Sequence, residues 1–170
     1  MSDLAICDAM KYFEPGLFDK LFQDGSREGG HALRRLSVEG LKEAVAGDVE
    51  ALLNARMAFP DKLLDKYPEC RRSVLTFGIP DFSGLSLASD DDRARICTSL
   101  EQAITRHERR LSSVTVALQV NPNATAVLYF TISAALDTGA AREPVSFDAA
   151  LQPATLRYSV RKGWGKGAAA

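Results

Sequence analysis

Residues 111–136 read LSSVTVALQVNPNATAVLYFTISAAL, and the order of apolar and polar positions in them decides the fold. Val114, Val116, Leu118 and Val120 alternate with Ser113, Thr115, Ala117 and Gln119. After the turn-forming NPNA, a second alternation sets Ala126, Leu128, Phe130, Ile132, Ala134 and Leu136 on one side. Successive side chains of a strand point to opposite faces, so a period of two predicts a hairpin with one buried face. Downstream, Val145 and Phe147 predict a third strand. Leu156, Tyr158 and Val160, alternating with Arg157, Ser159 and Arg161, predict a fourth. The end, GWGKGAAA, reads as a flexible tail in which Trp164 stands between glycines.

Upstream of the hairpin the period changes to that of a helix. Ser89 followed by Asp90, Asp91 and Asp92 is a helix start, because the hydroxyl can accept from an orphan N–H and the acids face the positive end of the helix dipole. Ile96, Leu100, Ala103, Ile104 and His107 then share one face, and Arg106, His107, Arg109 and Arg110 gather where the dipole favours positive charge. Ser37 caps a second helix from Val38 to about Arg56, with Leu41, Val45, Val49, Leu52 and Leu53 as its stripe. Gly40 and Gly47 weaken that helix by up to about 1 kcal/mol each, so it relies on tertiary packing or its glycines admit a close neighbour. Pro15 to Gln23 reads as a short amphipathic helix through Leu17, Phe18, Leu21 and Phe22. Between Phe59 and Ser86, Pro60, Pro68, Gly78, Pro80 and Gly84 forbid a long regular element. Val74, Leu75, Phe77, Ile79 and Phe82 are nonetheless too apolar for open solvent. A packed loop is expected, with one helical turn at Cys70 to Phe77.

Helices first and strands afterwards imply an α+β fold, with N-terminal helices on one face of a small, mostly antiparallel sheet of about four strands. The chain of 170 residues suits one domain over residues 15–161, between a loosely ordered 1–14 and the tail 162–170. With 46% hydrophobic and 25% charged residues it can bury a core unaided, which excludes disorder for the bulk of it. A net charge of −1, with basic and acidic residues interleaved, gives no field to attract a phosphate backbone, so no nucleic-acid partner is expected. Cys7, Cys70 and Cys97 are far apart, and only His31 and His107 stand by to complete a metal site. They read as reduced thiols, with no metal and no cofactor. The N-terminus carries acids where a signal peptide needs a basic start, and no apolar run approaches the roughly 20 residues that cross a bilayer. A cytoplasmic protein without membrane insertion is expected.

No catalytic constellation stands out. There is no nucleophile elbow, zinc-protease motif or phosphate-cradling loop. Glu14, Glu69, Asp81 and Glu108 are acids flanked by apolar residues, and any two meeting in the fold would resemble a glycosidase pair; such acids more often cap or pair. His107 reads as serving the helix dipole rather than as a base. No enzyme is expected. The alternatives are a cell-wall-cleaving, lysozyme-like hydrolase using Glu108 and a second acid, and an unrelated cytoplasmic adaptor.

Four stretches in order carry a resemblance: LFDKL at 17–21, DVEALLNAR at 48–56, YPECRRSVLTFGIPDFS at 67–83, and HERRL at 107–111 leading into a valine-rich strand. Together they resemble the TssE family of the bacterial type VI secretion baseplate and its relatives in phage baseplate wedges. The family's signature before the first strand is Glu-Pro-Arg. Here it is Glu108, Arg109 and Arg110, and arginine neither fixes the backbone angle nor stops a helix as proline does.

The resemblance implies a structural baseplate subunit, beneath the inner membrane, that docks on the wedge core of TssF and TssG. It would start the contractile sheath of TssB and TssC by strand exchange, with TssK a further candidate partner. The lysozyme-like label of some relatives is then inherited rather than functional. The partner-binding residues expected on this basis are Glu108, Arg110 and Leu111 at the helix exit and Tyr158 and Ser159 on the last strand. If Glu108 and Arg110 serve the partner, replacing either leaves the isolated domain folded. A sheet edge offers unpaired N–H and C=O groups to an incoming strand; the alternative is an edge protected by Arg157 and Arg161.

Overall fold

The structure, a computed structural model, describes Phe13 and residues 37–59, 61–64, 66–82, 84–86, 89–119, 127–139 and 141–163. The expected helix at 15–23, the NPNA turn, Glu14 and Trp164 lie outside these residues. Helix α1 (Val38–Asn54) starts where Ser37 accepts from the Gly40 N–H at 3.2 Å. Its stripe of Leu41, Val45, Val49, Leu52 and Leu53 is buried. It stops two residues short of the expected Arg56, because Ala55 turns extended and Arg56 forms a parallel bridge with Ile79. A Cβ on Gly47 would meet nothing within 4 Å, so no neighbour requires that glycine.

The connection that follows holds three 3-10 turns, Asp61–Leu64, Pro68–Arg72 and Val74–Thr76, so the single turn expected at 70–77 is two short ones broken at Ser73. Ser73 extends and caps the second of them through Leu75 N–H at 3.2 Å. The expectation that all the apolar residues here turn inward fails for Val74, which is 82% exposed, and for Leu75. The turn points Thr76 inward instead, where its hydroxyl donates to the Arg71 carbonyl at 2.7 Å. Gly78, at φ +118°, brings the chain back against the end of α1; a Cβ there would lie 2.7 Å from the Ala55 carbonyl oxygen. The bridge is closed by Ile79 N–H to Ala55 O and Met57 N–H to Ile79 O, both 3.1 Å.

Helix α2 (Asp90–His107) begins as its sequence requires, with Ser89 accepting from Asp92 N–H at 3.4 Å and three acids in the first turn. Ile96, Leu100, Ala103 and Ile104 are its buried face. Four strands follow in one sheet: β1 (Leu111–Gln119), β2 (Leu128–Asp137), β3 (Arg142–Gln152) and β4 (Arg157–Lys162), in the order β1-β2-β3-β4 and antiparallel throughout. The alternation read from the sequence is that of the sheet: Phe130, Ile132, Ala134 and Leu136 are buried while Tyr129, Ser133 and Asp137 are exposed. In β1 the register shifts between Ser112 and Thr115, with Ser113 at φ +52°. This bulge lets Leu111 and Val116 face the same core although they are an odd number of residues apart. Leu156, expected in the fourth strand, sits in the preceding turn at φ +53°, half exposed.

The fold is therefore α+β, with α1 and α2 on the inward face of the sheet. α1 lies along β4 and α2 along β1. Phe130, Ile132, Leu136 and Phe147 meet Val49, Leu53, Leu100 and Ile104 in one core. Each such side chain contributes about 1.5–3 kcal/mol relative to exposure, before the conformational entropy lost on ordering is set against it.

Candidate functional site

The helix exit is the first feature the sequence singled out. α2 ends at His107 without a proline, because Glu108 leaves helical geometry (φ −108°, ψ 93°) while its N–H still bonds Ile104 O at 2.8 Å. The Glu108 side chain turns back into the bend. Its carboxylate accepts from Arg110 backbone N–H at 3.0 Å, from Arg110 Nε at 2.8 Å and from Arg110 Nη2 at 2.5 Å. The same guanidinium donates to Asp48 of α1. Arg110 thus ties the two helices together at the point where the chain enters β1. Glu108 above all, then Asp48, holds the Arg110 guanidinium well above its ordinary pKa against the opposing effect of burial.

This geometry gives the pair a role inside the fold. Glu108 is 7% exposed and its carboxylate is bonded within the chain, so it is part of the folded joint rather than a free contact. Arg109 is exposed and stands outside the joint. His107 is likewise a tie. Its Nε2–H donates to the Thr76 carbonyl at 2.8 Å, and its ring meets Phe77 edge-on at 5.5 Å. Burial, then nearby Arg106, lowers its pKa from 6.5 against the Thr76 bond. It clasps the loop to the end of α2.

The second feature is the edge of the sheet. Tyr158 is 3% exposed and packs with Phe130, so its side chain belongs to the core. Its hydroxyl has no partner among the described residues, and desolvation pushes its pKa up to about 12. The backbone of β4 is met by α1. Asn54 Oδ1 accepts from Tyr158 N–H and Asn54 Nδ2 donates to Tyr158 O, both at 2.9 Å. Glu50 Oε2 accepts from Val160 N–H at 2.7 Å, and Arg56 donates to Leu156 O at 3.2 Å. At the opposite edge, Glu101 of α2 accepts from Val116 N–H at 2.8 Å. The β4 edge is thus closed chiefly by α1, not by the flanking arginines.

Of the five expected contact residues, Glu108, Arg110 and Leu111 come together at the helix exit, with Leu111 inside the core. Tyr158 and Ser159 lie on β4, and of the five only Ser159 is openly exposed. Asp48, Glu50, Asn54 and Arg56 were not singled out. Their signal was present in DVEALLNAR: every polar residue of that stretch makes a tertiary bond.

Among the described residues, two helices and a four-stranded antiparallel sheet define a small α+β module. The chain belongs to the family of baseplate wedge protein gp25, which matches residues 39–141, from the first turn of α1 to the start of β3. This agrees with the resemblance to TssE and the phage wedge proteins, and it makes the protein a structural component of a baseplate. No curated protein matches the chain.

Proposed function

We propose that this baseplate protein is the wedge subunit of a type VI secretion system, docking on the TssF and TssG core and starting the TssB and TssC sheath by strand exchange. TssK is a further candidate contact, and the assembly would stand in the cytoplasm beneath the inner membrane. The supporting observation is a set of apolar side chains left outside the core: Leu63 is 63% exposed, Tyr67 61% and Val74 82%, on or just before 3-10 turns that pack against one another. Exposed apolar side chains grouped in this way mark a surface that a partner covers, and tyrosine is among the residues that anchor interfaces. Arg110, whose side chain is 28% exposed, would add charge to the contact, while Glu108 and Leu111 hold it from beneath.

Co-purification tests this reading. The chain is expected to elute with TssF and TssG, and the double variant Tyr67→Asp, Val74→Asp to lose that association with an unchanged melting curve. Elution of the wild-type chain apart from an intact TssF–TssG complex would overturn it.

A further inference from the structure

The two edges of the sheet are closed unequally. At β4, both groups of Tyr158 and the Val160 N–H are bonded by α1, and the Leu156 carbonyl in the turn before the strand by Arg56, just past the end of α1. An amide that accepts from and donates to one residue reproduces the pair of bonds a neighbouring antiparallel strand would exchange with it. Asn54 therefore stands in for that strand. At β1, Val116 pairs with Ile132 and Leu118 with Phe130. The Val116 N–H points away from β2, to Glu101, so by the period of two the N–H and C=O of both Val116 and Leu118 face outward. Of these groups the Val116 N–H is met, by the Glu101 carboxylate. The Val116 and Leu118 carbonyls have no partner among the described residues.

Two carbonyls without a partner among the described residues offer acceptors to an incoming strand, and a carboxylate released to water is readily solvated. Opening β4 would instead break three side-chain bonds to the strand. We infer that β1 is the edge that receives an extended segment of a sheath subunit, and that Glu101 is the latch that closes it beforehand. The inference rests on the strand-exchange reading above and decides its place. The incoming segment would take over the Val116 N–H from Glu101 and donate to the two open carbonyls.

Ala117 and Ser159 are exposed residues of β1 and β4, one on each edge strand, and suit a photo-cross-linking amino acid. In cells assembling the apparatus, cross-links to a sheath subunit are expected from position 117 and not from 159. Cross-links from 159 alone would overturn the assignment to β1 while leaving strand exchange standing. Cross-links from neither, in a chain still incorporated in the baseplate, would overturn both. Glu101→Ala should strengthen capture of purified sheath subunits about two- to tenfold, the worth of one exchanged hydrogen bond; unchanged or weaker capture would remove the latch.

Discussion

Glu108 shows how one carboxylate does work that its sequence position only hints at. It ends α2, accepts three bonds from Arg110 and, through that guanidinium, reaches Asp48 on the other helix. Removing it strands a partly buried guanidinium with one carboxylate partner. Glu108→Ala is therefore expected to cost about 1–3 kcal/mol, a melting temperature lower by several degrees for a chain of this size. Exposed Arg109→Ala should stay within about 0.5 kcal/mol of wild type. Thermal unfolding of the two variants checks this, and equal melting temperatures would show that Glu108 holds nothing in the isolated chain. The sequence marked Glu108 and Arg110 as a pair by proximity. It did not show Asp48, because a partner 62 residues away is brought close only by folding.

At the scale of elements, two glycines that look alike in sequence have opposite value. Gly47 lies on the exposed side of α1 with open space around it, so Gly47→Ala should stabilise the protein by about 0.5–1 kcal/mol through helix propensity and a less flexible unfolded chain. Gly78 sits at φ +118° with the Ala55 carbonyl where a Cβ would go, so Gly78→Ala should cost at least about 2 kcal/mol. Urea titrations would read both, and a stable Gly78→Ala variant would mean that the loop does not need the bridge at Ile79. The helices and strands were legible because each follows from a local period or a cap. The 3-10 turns were less so. Their course answers to tertiary contacts such as the bond from His107 of α2 to the Thr76 carbonyl, and Val74 is outside and Thr76 inside against the order of their hydrophobicity.

For the whole molecule, His107 links stability to pH. Its lowered pKa means that the unfolded chain takes up a proton before the folded one does. Its contribution is present in full above 6.5 and is lost as the pH falls from there to the lowered value, with no further loss below it. The melting temperature is therefore expected to drop as the pH falls below about 6.5, and His107→Gln to flatten that drop. An unaltered slope in the variant would assign the pH dependence to other groups.

Local chemistry was enough to set the class of fold: hydroxyl caps start α1 and α2, a period of two makes the strands, and their order dictates helices over an antiparallel sheet. The ordered stretches from DVEALLNAR to HERRL also carried the family, because they lie in elements that pack together. Tertiary structure alone decided how the polar residues are spent. Asn54 and Glu50 are one helical turn apart, and nothing in that spacing says that they face the backbone of a strand more than 100 residues later. Period and propensity act over a few residues, whereas a bond between a helix side chain and a strand edge exists only once the core has drawn the two together.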